Sequence, residues 1–254
     1  MLEGKRIFIT GGAGFIGTTL AREIVERNEI VAYDNLHRDV LSGTDLGEHP
    51  NFTLVQGDIL DPDALRAAAA GATHFVHCAA IAGVDTVLKS PVRVMRVNVV
   101  GTYNALEAAL ATLPTLERFI DFSTSEIFGQ HAANVAEGHV STIGSVGEAR
   151  WTYVSDMVTG VLACLEHPDA VGQAFNIGNP RGTVTIYDLA QRIRRISGEP
   201  IDIVFQPLHY TDVELRIPNV EKARTVLGWE PLVELDDGLE KTVAWYRARA
   251  LASA

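Results

Sequence analysis

Lysine and cysteine are scarce in this chain: four of its 254 residues are lysine (Lys5, Lys89, Lys222 and Lys241) and two are cysteine. With 21 basic side chains against 32 acidic ones, the net charge is −11. That shortage of positive charge argues against nucleic acid or an anionic membrane as a partner. Cys78 and Cys164 sit inside apolar segments without metal-ligand spacing, which reads as two reduced, buried thiols and no metal site. No apolar run is long enough to cross a bilayer. The opening MLEGKRIFIT leads directly into a strand-like segment, with no basic leader and apolar signal core, so the expected location is cytoplasmic. Internal repeats are missing too.

What is present is an alternation. Apolar β-type runs at 6–10, 30–34, 52–58, 74–79, 118–124 and 174–178 read as strands. Between most of them lie segments of helical period, at 15–27, 61–70, 91–112 and 155–167. Strands apolar on both faces, joined by helical crossovers, imply an α/β fold: a doubly wound parallel sheet of Rossmann type. The rhythm changes after AFNIGNP. A helix follows at 185–198, with Thr185 and Asp188 spaced as in a capping box and Gly198 as its stop. A strand at 201–207 and two helices near 219–227 and 236–250 complete a small C-terminal α/β appendage. The expected division is a Rossmann-type domain over 1–180 and a smaller C-terminal region over 181–254.

The strongest chemical signal is ITGGAGFIG, in which Gly11, Gly14 and Gly17 are spaced three apart. Such glycines permit a tight turn after the first strand. They also let backbone approach a pyrophosphate, which then sits against the positive end of the following helix. A strand before, a helix after and an acidic residue closing the second strand give the motif its context. That residue, Asp34, is placed to accept hydrogen bonds from an adenosine ribose. Its charge repels a 2′-phosphate, so NAD is expected over NADP. Asp58, in GDI, is expected near the adenine amino group.

With TGGAGFIG, YDNL, GDILD, VHCAAIAGV, VNVVGT, FSTSEIFG, FNIGNP, RIPNVEKARTVLGWEP and GLEKTVAWY in order along nearly the whole chain, the sequence resembles the extended short-chain dehydrogenase/reductases, in particular the NAD-dependent sugar-nucleotide epimerase/dehydratase/decarboxylase group. The resemblance implies that Phe15, Ile16, Asn35, Ile59, Ala79 and Ala80 complete the cofactor site. It makes Asn98 a structural asparagine, and it sets Thr124, Ser125 and Glu126 beside the substrate sugar. Arg216 resembles the arginine that clamps the nucleotide diphosphate, where a guanidinium fork suits a pair of phosphate oxygens. His77 reads as a structural histidine beside the cofactor. Relatives of this kind often form homodimers, and the oligomeric state is open.

One stretch departs from the family pattern. In EARWTYVSDMVTG, Tyr153 resembles the catalytic tyrosine, yet Met157 stands where a lysine belongs. The approach to that tyrosine and a later crossover helix look fused, with the intervening segment absent. An ordinary phenol has a pKa of about 10, so losing the lysine costs tyrosinate its usual support. Lys89 is the one lysine in a segment that lies near the sugar in relatives. Tyr153 is open between catalytic base and core aromatic.

Two functions follow. In the first, NAD oxidises a nucleotide sugar at C4, with Tyr153 as base, Ser125 or Thr124 orienting the hydroxyl and Glu126 moving a proton at C5. Epimerisation, dehydration or decarboxylation would complete the reaction. In the second, a degenerate member binds NAD and a nucleotide sugar as a regulator or partner subunit.

Overall fold

The computed structural model describes residues 2–124, 148–205 and 218–252. The chain divides into two compact units, Met1–Phe122 with Cys164–Val171 and Ser123–Ala163 with Gly172–Ala254.

The first unit is built on β1 (Arg6–Thr10), β2 (Glu29–Asp34), β3 (Phe52–Gln56), β4 (His74–His77) and β5 (Arg118–Asp121). They form one sheet in the order β3-β2-β1-β4-β5, with every pairing parallel. The chain runs outward from β1 to β3 and then returns to place β4 on the other side of β1. That reversal creates a crevice at the carboxyl ends of β1 and β4, the place where open α/β sheets hold their ligands.

Side-chain alternation buries both faces. Phe8, Val31, Tyr33 and Phe75 share a core with Leu65 of α2 (Pro62–Ala68) and with Ala105, Ala108 and Ala109 of α5 (Gly101–Leu110). On the opposite face Ile7, Ile9, Ile30 and Val76 are buried, as are Leu20 and Ile24 of α1 (Phe15–Ile24). Between β4 and α5 the chain forms α3 (Val84–Lys89), α4 (Pro91–Met95) and a π-turn at Arg96–Val100. The parallel Rossmann-type sheet is therefore as expected.

The second unit pairs β6 (Glu148–Arg150) antiparallel with β7 (Thr183–Thr185). Its helices are α6 (Val154–Glu166), whose last turn belongs to the first unit, α7 (Ile186–Ser197), α8 (Glu221–Leu227) and α9 (Leu235–Ala252). Thr185 caps α7, its hydroxyl accepting from the Asp188 N–H at 3.0 Å. The Asp188 carboxylate turns to Arg192 instead of back to the cap. Gly198 ends the helix in the left-handed region at φ 67°.

Two strand expectations fail. Residues 174–178 form no strand, and among the described residues β5 closes the sheet. The segment meets its needs within the second unit. Asn176 donates to the Asn219 carbonyl at 3.0 Å, and Ile177 packs so closely on α6 that a Cβ on Gly160 would lie 2.5 Å from it. Of the strand expected over 201–207, residues 201–205 are irregular and 206–207 lie outside the described residues; Val204 and Phe205 stay exposed with no neighbouring strand to pair with among the described residues. A β-pattern without a ladder partner leaves its N–H and C=O groups to water, so it forms no strand.

Candidate cofactor and active site

The cofactor candidates converge at the carboxyl ends of β1 and β2. Gly11 turns the chain at φ 70°, its N–H donating to the Tyr33 carbonyl at 2.9 Å. A Cβ on Gly17 would lie 2.4 Å from the Gly11 carbonyl oxygen, so only glycine lets α1 start this close to the turn. Gly14 is the N-cap of α1, with no side-chain cap and no acidic residue in the first turn. Helix starts normally recruit a Ser, Thr or Asp cap for their unpaired amides. Here no side chain of the cap residue covers the positive end of the helix.

Asp34 is buried and faces the same turn. Its carboxylate accepts from the Ala13 N–H at 3.1 Å and from the Leu36 N–H at 2.7 Å. Leu36 adopts φ 62°, unusual for a side chain of its size, and that conformation directs its N–H at Asp34. Asn35 is exposed, its side chain accepting from the His37 N–H. Asp58 is exposed on the turn after β3, and Ile59 beneath it is buried. A helix start open to a diphosphate beside a fixed carboxylate suited to a ribose diol fits a dinucleotide. The amides of Ile16 and Gly17 with Asp34 are the groups that would hold it.

Beyond β4, Ala79 is half-buried and Ala80 exposed. Asn98, in the π-turn, holds both backbone groups of Ile81: its Oδ1 accepts from the N–H at 2.8 Å and its Nδ2 donates to the carbonyl at 3.0 Å. His77 is buried between two threonines, Nδ1 to Thr10 Oγ1 at 2.6 Å and Nε2 to Thr102 Oγ1 at 3.1 Å. Because the Thr102 hydroxyl donates to the Asn98 carbonyl, its oxygen accepts from His77, which fixes the Nε2–H tautomer. Burial pushes His77 down to about 4, so it is neutral at pH 7. The same burial, with the Asp121 carboxylate, pushes the Cys78 thiol up to about 12.

The catalytic candidates belong to the second unit. Thr124 is exposed, whereas Ser125, Glu126 and Arg216 lie outside the described residues. Tyr153 ends the approach to α6, its carbonyl accepting from the Asp156 N–H at 3.0 Å. Its half-buried ring lies against α9, where a Cβ on Gly238 would come within 3.2 Å of it. Lys241, one turn further along that helix, holds its ammonium 5.2 Å from the centre of the Tyr153 ring. Lys89, the lysine expected near the sugar from the family resemblance, is exposed at the end of α3. The G-x-x-K spacing in α9 was visible, but a cation 88 positions away has no local signature.

Residues 7–145 match the NAD dependent epimerase/dehydratase family, and the chain belongs to that family. The match ends before β6 and Tyr153. A UDP-glucuronic acid decarboxylase of Arabidopsis thaliana is 27% identical over 318 positions, covering 97% of this chain and 71% of the relative. Since this chain has 254 residues, at least 64 of those 318 positions have no counterpart in it. A UDP-N-acetyl-alpha-D-glucosaminuronate decarboxylase of Bacillus cytotoxicus is 24% identical, covering 96% of this chain and 98% of the relative. Among solved structures, an epimerase of Methanothermobacter thermautotrophicus superposes with a TM-score of 0.81 at 23% identity, over 98% of this chain and 94% of the other. A variant UDP-glucuronic acid 4-epimerase of Bacillus cereus, in complex with UDP-4-deoxy-4-fluoro-glucuronic acid and NAD, superposes at 0.82 with 22% identity, over 96% and 99%. The family is NAD-dependent, and the fold is that of its solved epimerases.

Proposed function

We propose that this chain oxidises a nucleotide sugar at C4 and completes an epimerisation, dehydration or decarboxylation at the carbon made acidic by the new ketone. The observation that carries the proposal is the Asp34 carboxylate, fixed by two amides beside an uncapped helix start, in a chain of this family. NAD, when bound, supplies the hydride acceptor. The protein's part is to take the proton of the C4 hydroxyl, and Tyr153 is the proposed base. Ser125 or Thr124 orients that hydroxyl, Glu126 serves proton transfer at C5 and Arg216 binds the diphosphate. The relatives' names favour a uridine-diphosphate sugar, with a uronic acid as first choice. Residues 1–180 are the proposed NAD-binding part and 181–254 the proposed substrate-binding part.

A homodimer is part of the proposal. Val92, Met95, Val99, Tyr103, Leu106 and Leu110 are all exposed, three or four residues apart along α4, the π-turn and α5. An apolar stripe of that length is unusual on a monomer. Leu106→Glu should halve the mass seen by light scattering if the stripe is the interface. Cytoplasmic placement rests on two unpaired cysteines; among the described residues no helix is long and apolar enough to cross a membrane.

A second reading has its own support. The seat of Tyr153 against Gly238 is also that of a packing aromatic, and at least 64 aligned positions are missing. Both features suit a member that binds NAD and a nucleotide sugar without turnover. Mixing the protein and NAD with UDP-glucuronic acid and following NADH absorbance and product by mass spectrometry separates the readings. Product in the wild type and none from Tyr153→Phe supports the enzyme. Binding of both ligands without reduction or product supports the second reading.

A further inference from the structure

The turn after β3 is held more firmly than its exposed position requires. Gly57 donates its N–H to the Asp34 carbonyl at 3.0 Å, tying the turn to the strand that carries the ribose-reading carboxylate. The buried Tyr33 hydroxyl donates to the Asp58 carbonyl at 3.1 Å. A Cβ on Gly57 would lie 2.3 Å from that hydroxyl, so glycine is what lets the phenol reach. From α5, the buried Asn104 amide donates to the Ile59 carbonyl at 2.9 Å. On the same helix a Cβ on Gly101 would lie 2.3 Å from Ile59 Cδ1, so the Ile59 side chain is seated as tightly as its carbonyl. Asp58 closes the turn itself, its carboxylate accepting from the Leu60 N–H at 2.9 Å.

Two consecutive carbonyls are thus pinned by buried donors, one belonging to a strand and the other to a helix. The carboxylate between those pins is the exposed one. Burial, with the nearby Asp61 and Asp58, raises Tyr33 further above the ordinary phenol range, so its hydroxyl remains a donor throughout the physiological range. A carboxylate that must recognise one exocyclic amino group needs this kind of support, because ionised Asp accepts and never donates. Held still, it favours adenine, whose amino group donates. It disfavours hypoxanthine, which presents a carbonyl oxygen at the same place.

We infer that Tyr33 and Asn104 are positioning residues that fix the 57–60 turn so that Asp58 selects the adenine base of the dinucleotide. The inference rests on the NAD reading above. Neither residue touches the cofactor; both act through the turn.

The test is a selectivity ratio: the affinity for NAD divided by that for nicotinamide hypoxanthine dinucleotide, measured by calorimetry. The wild type should favour NAD by about tenfold or more, as expected for a hydrogen bond to a charged acceptor. Tyr33→Phe and Asn104→Leu should each lower that ratio to about threefold or less, while affinity for the hypoxanthine dinucleotide changes little. If Asn104→Leu does not fold, Tyr33→Phe decides alone. A ratio unchanged in the variants, including equal weakening of both dinucleotides, would mean a merely structural role and overturn the inference. A wild type that binds both dinucleotides equally removes the assignment of Asp58 and the inference with it. A wild type that binds neither refutes the NAD reading itself.

Discussion

The two units of this chain hold themselves together by different means. In the first, five parallel strands pair backbone to backbone, and the turns at their carboxyl ends are tied back by further backbone bonds, such as Gly11 to Tyr33 and Gly57 to Asp34, alongside the side-chain bonds of Asp34, Tyr33 and Asn104. In the second, the only ladder among the described residues is three residues long. Side chains do the rest, Asp156 and Asn179 from buried positions and Arg181 from an exposed one. Asp156 accepts from the Val233 N–H at 3.0 Å, Asn179 donates to the Val233 carbonyl at 3.0 Å, and Arg181 reaches the Pro231 carbonyl and the Glu234 carboxylate. Backbone pairing is indifferent to most side chains, so the first unit fails chiefly where the chain comes too close to itself. The second fails where a single polar group is removed.

The largest effect should come from crowding the first unit. Gly17→Val forces a side chain against the Gly11 carbonyl, where backbone must move. A loss of about 3 kcal/mol in urea unfolding is expected, together with loss of NAD binding in calorimetry. A variant that keeps wild-type stability would break the comparison at its strongest point. Asp34→Ala removes the acceptor of two amides and the proposed partner of the ribose; NAD affinity should fall by roughly 50-fold.

A slightly smaller effect is expected from acid. Burial lowers His77 to about 4 from an ordinary value near 6.5. Between those values the unfolded chain takes up the proton and the folded chain does not. The stability due to neutral His77 is therefore complete above about pH 6.5 and is lost as the pH falls toward 4. From pH 7 to 5 the loss should be about 2 kcal/mol, and His77→Gln should flatten the slope. His74, also lowered by burial, adds a residual slope in the same direction. The smallest change should be seen in the second unit: Asp156→Ala should cost about 1.5 kcal/mol in thermal or urea unfolding and leave NAD affinity unchanged. A fall in NAD affinity there would show that the units are not separable in this way.

How much of this was legible in the sequence follows the same division. The glycine turn, Asp34 and the first five strands were readable because each depends on local spacing or on a continuous apolar run. Thr185 and Gly198 marked the ends of α7 for a similar reason. The pairing of β6 with β7 left no trace, since three residues are too few to show a period. AFNIG was misread because an apolar run records burial and not the presence of a ladder partner. Its Ile177 is spent on Gly160 instead. The contact of Lys241 with Tyr153, and the pinning of Ile59 by Asn104, join positions far apart in the chain and belong to tertiary packing alone.

Bound NAD is proposed to oxidise a nucleotide sugar in this protein. This is tested most directly by mixing purified protein and NAD with a panel of nucleotide sugars in a single-turnover experiment and recording NADH absorbance and product mass. Transient NADH and a product altered at C4 or C5 are expected for at least one sugar, with neither seen in Tyr153→Phe although NAD still binds. Firm binding of NAD and of the sugar with no NADH and no product for any member of the panel would contradict it.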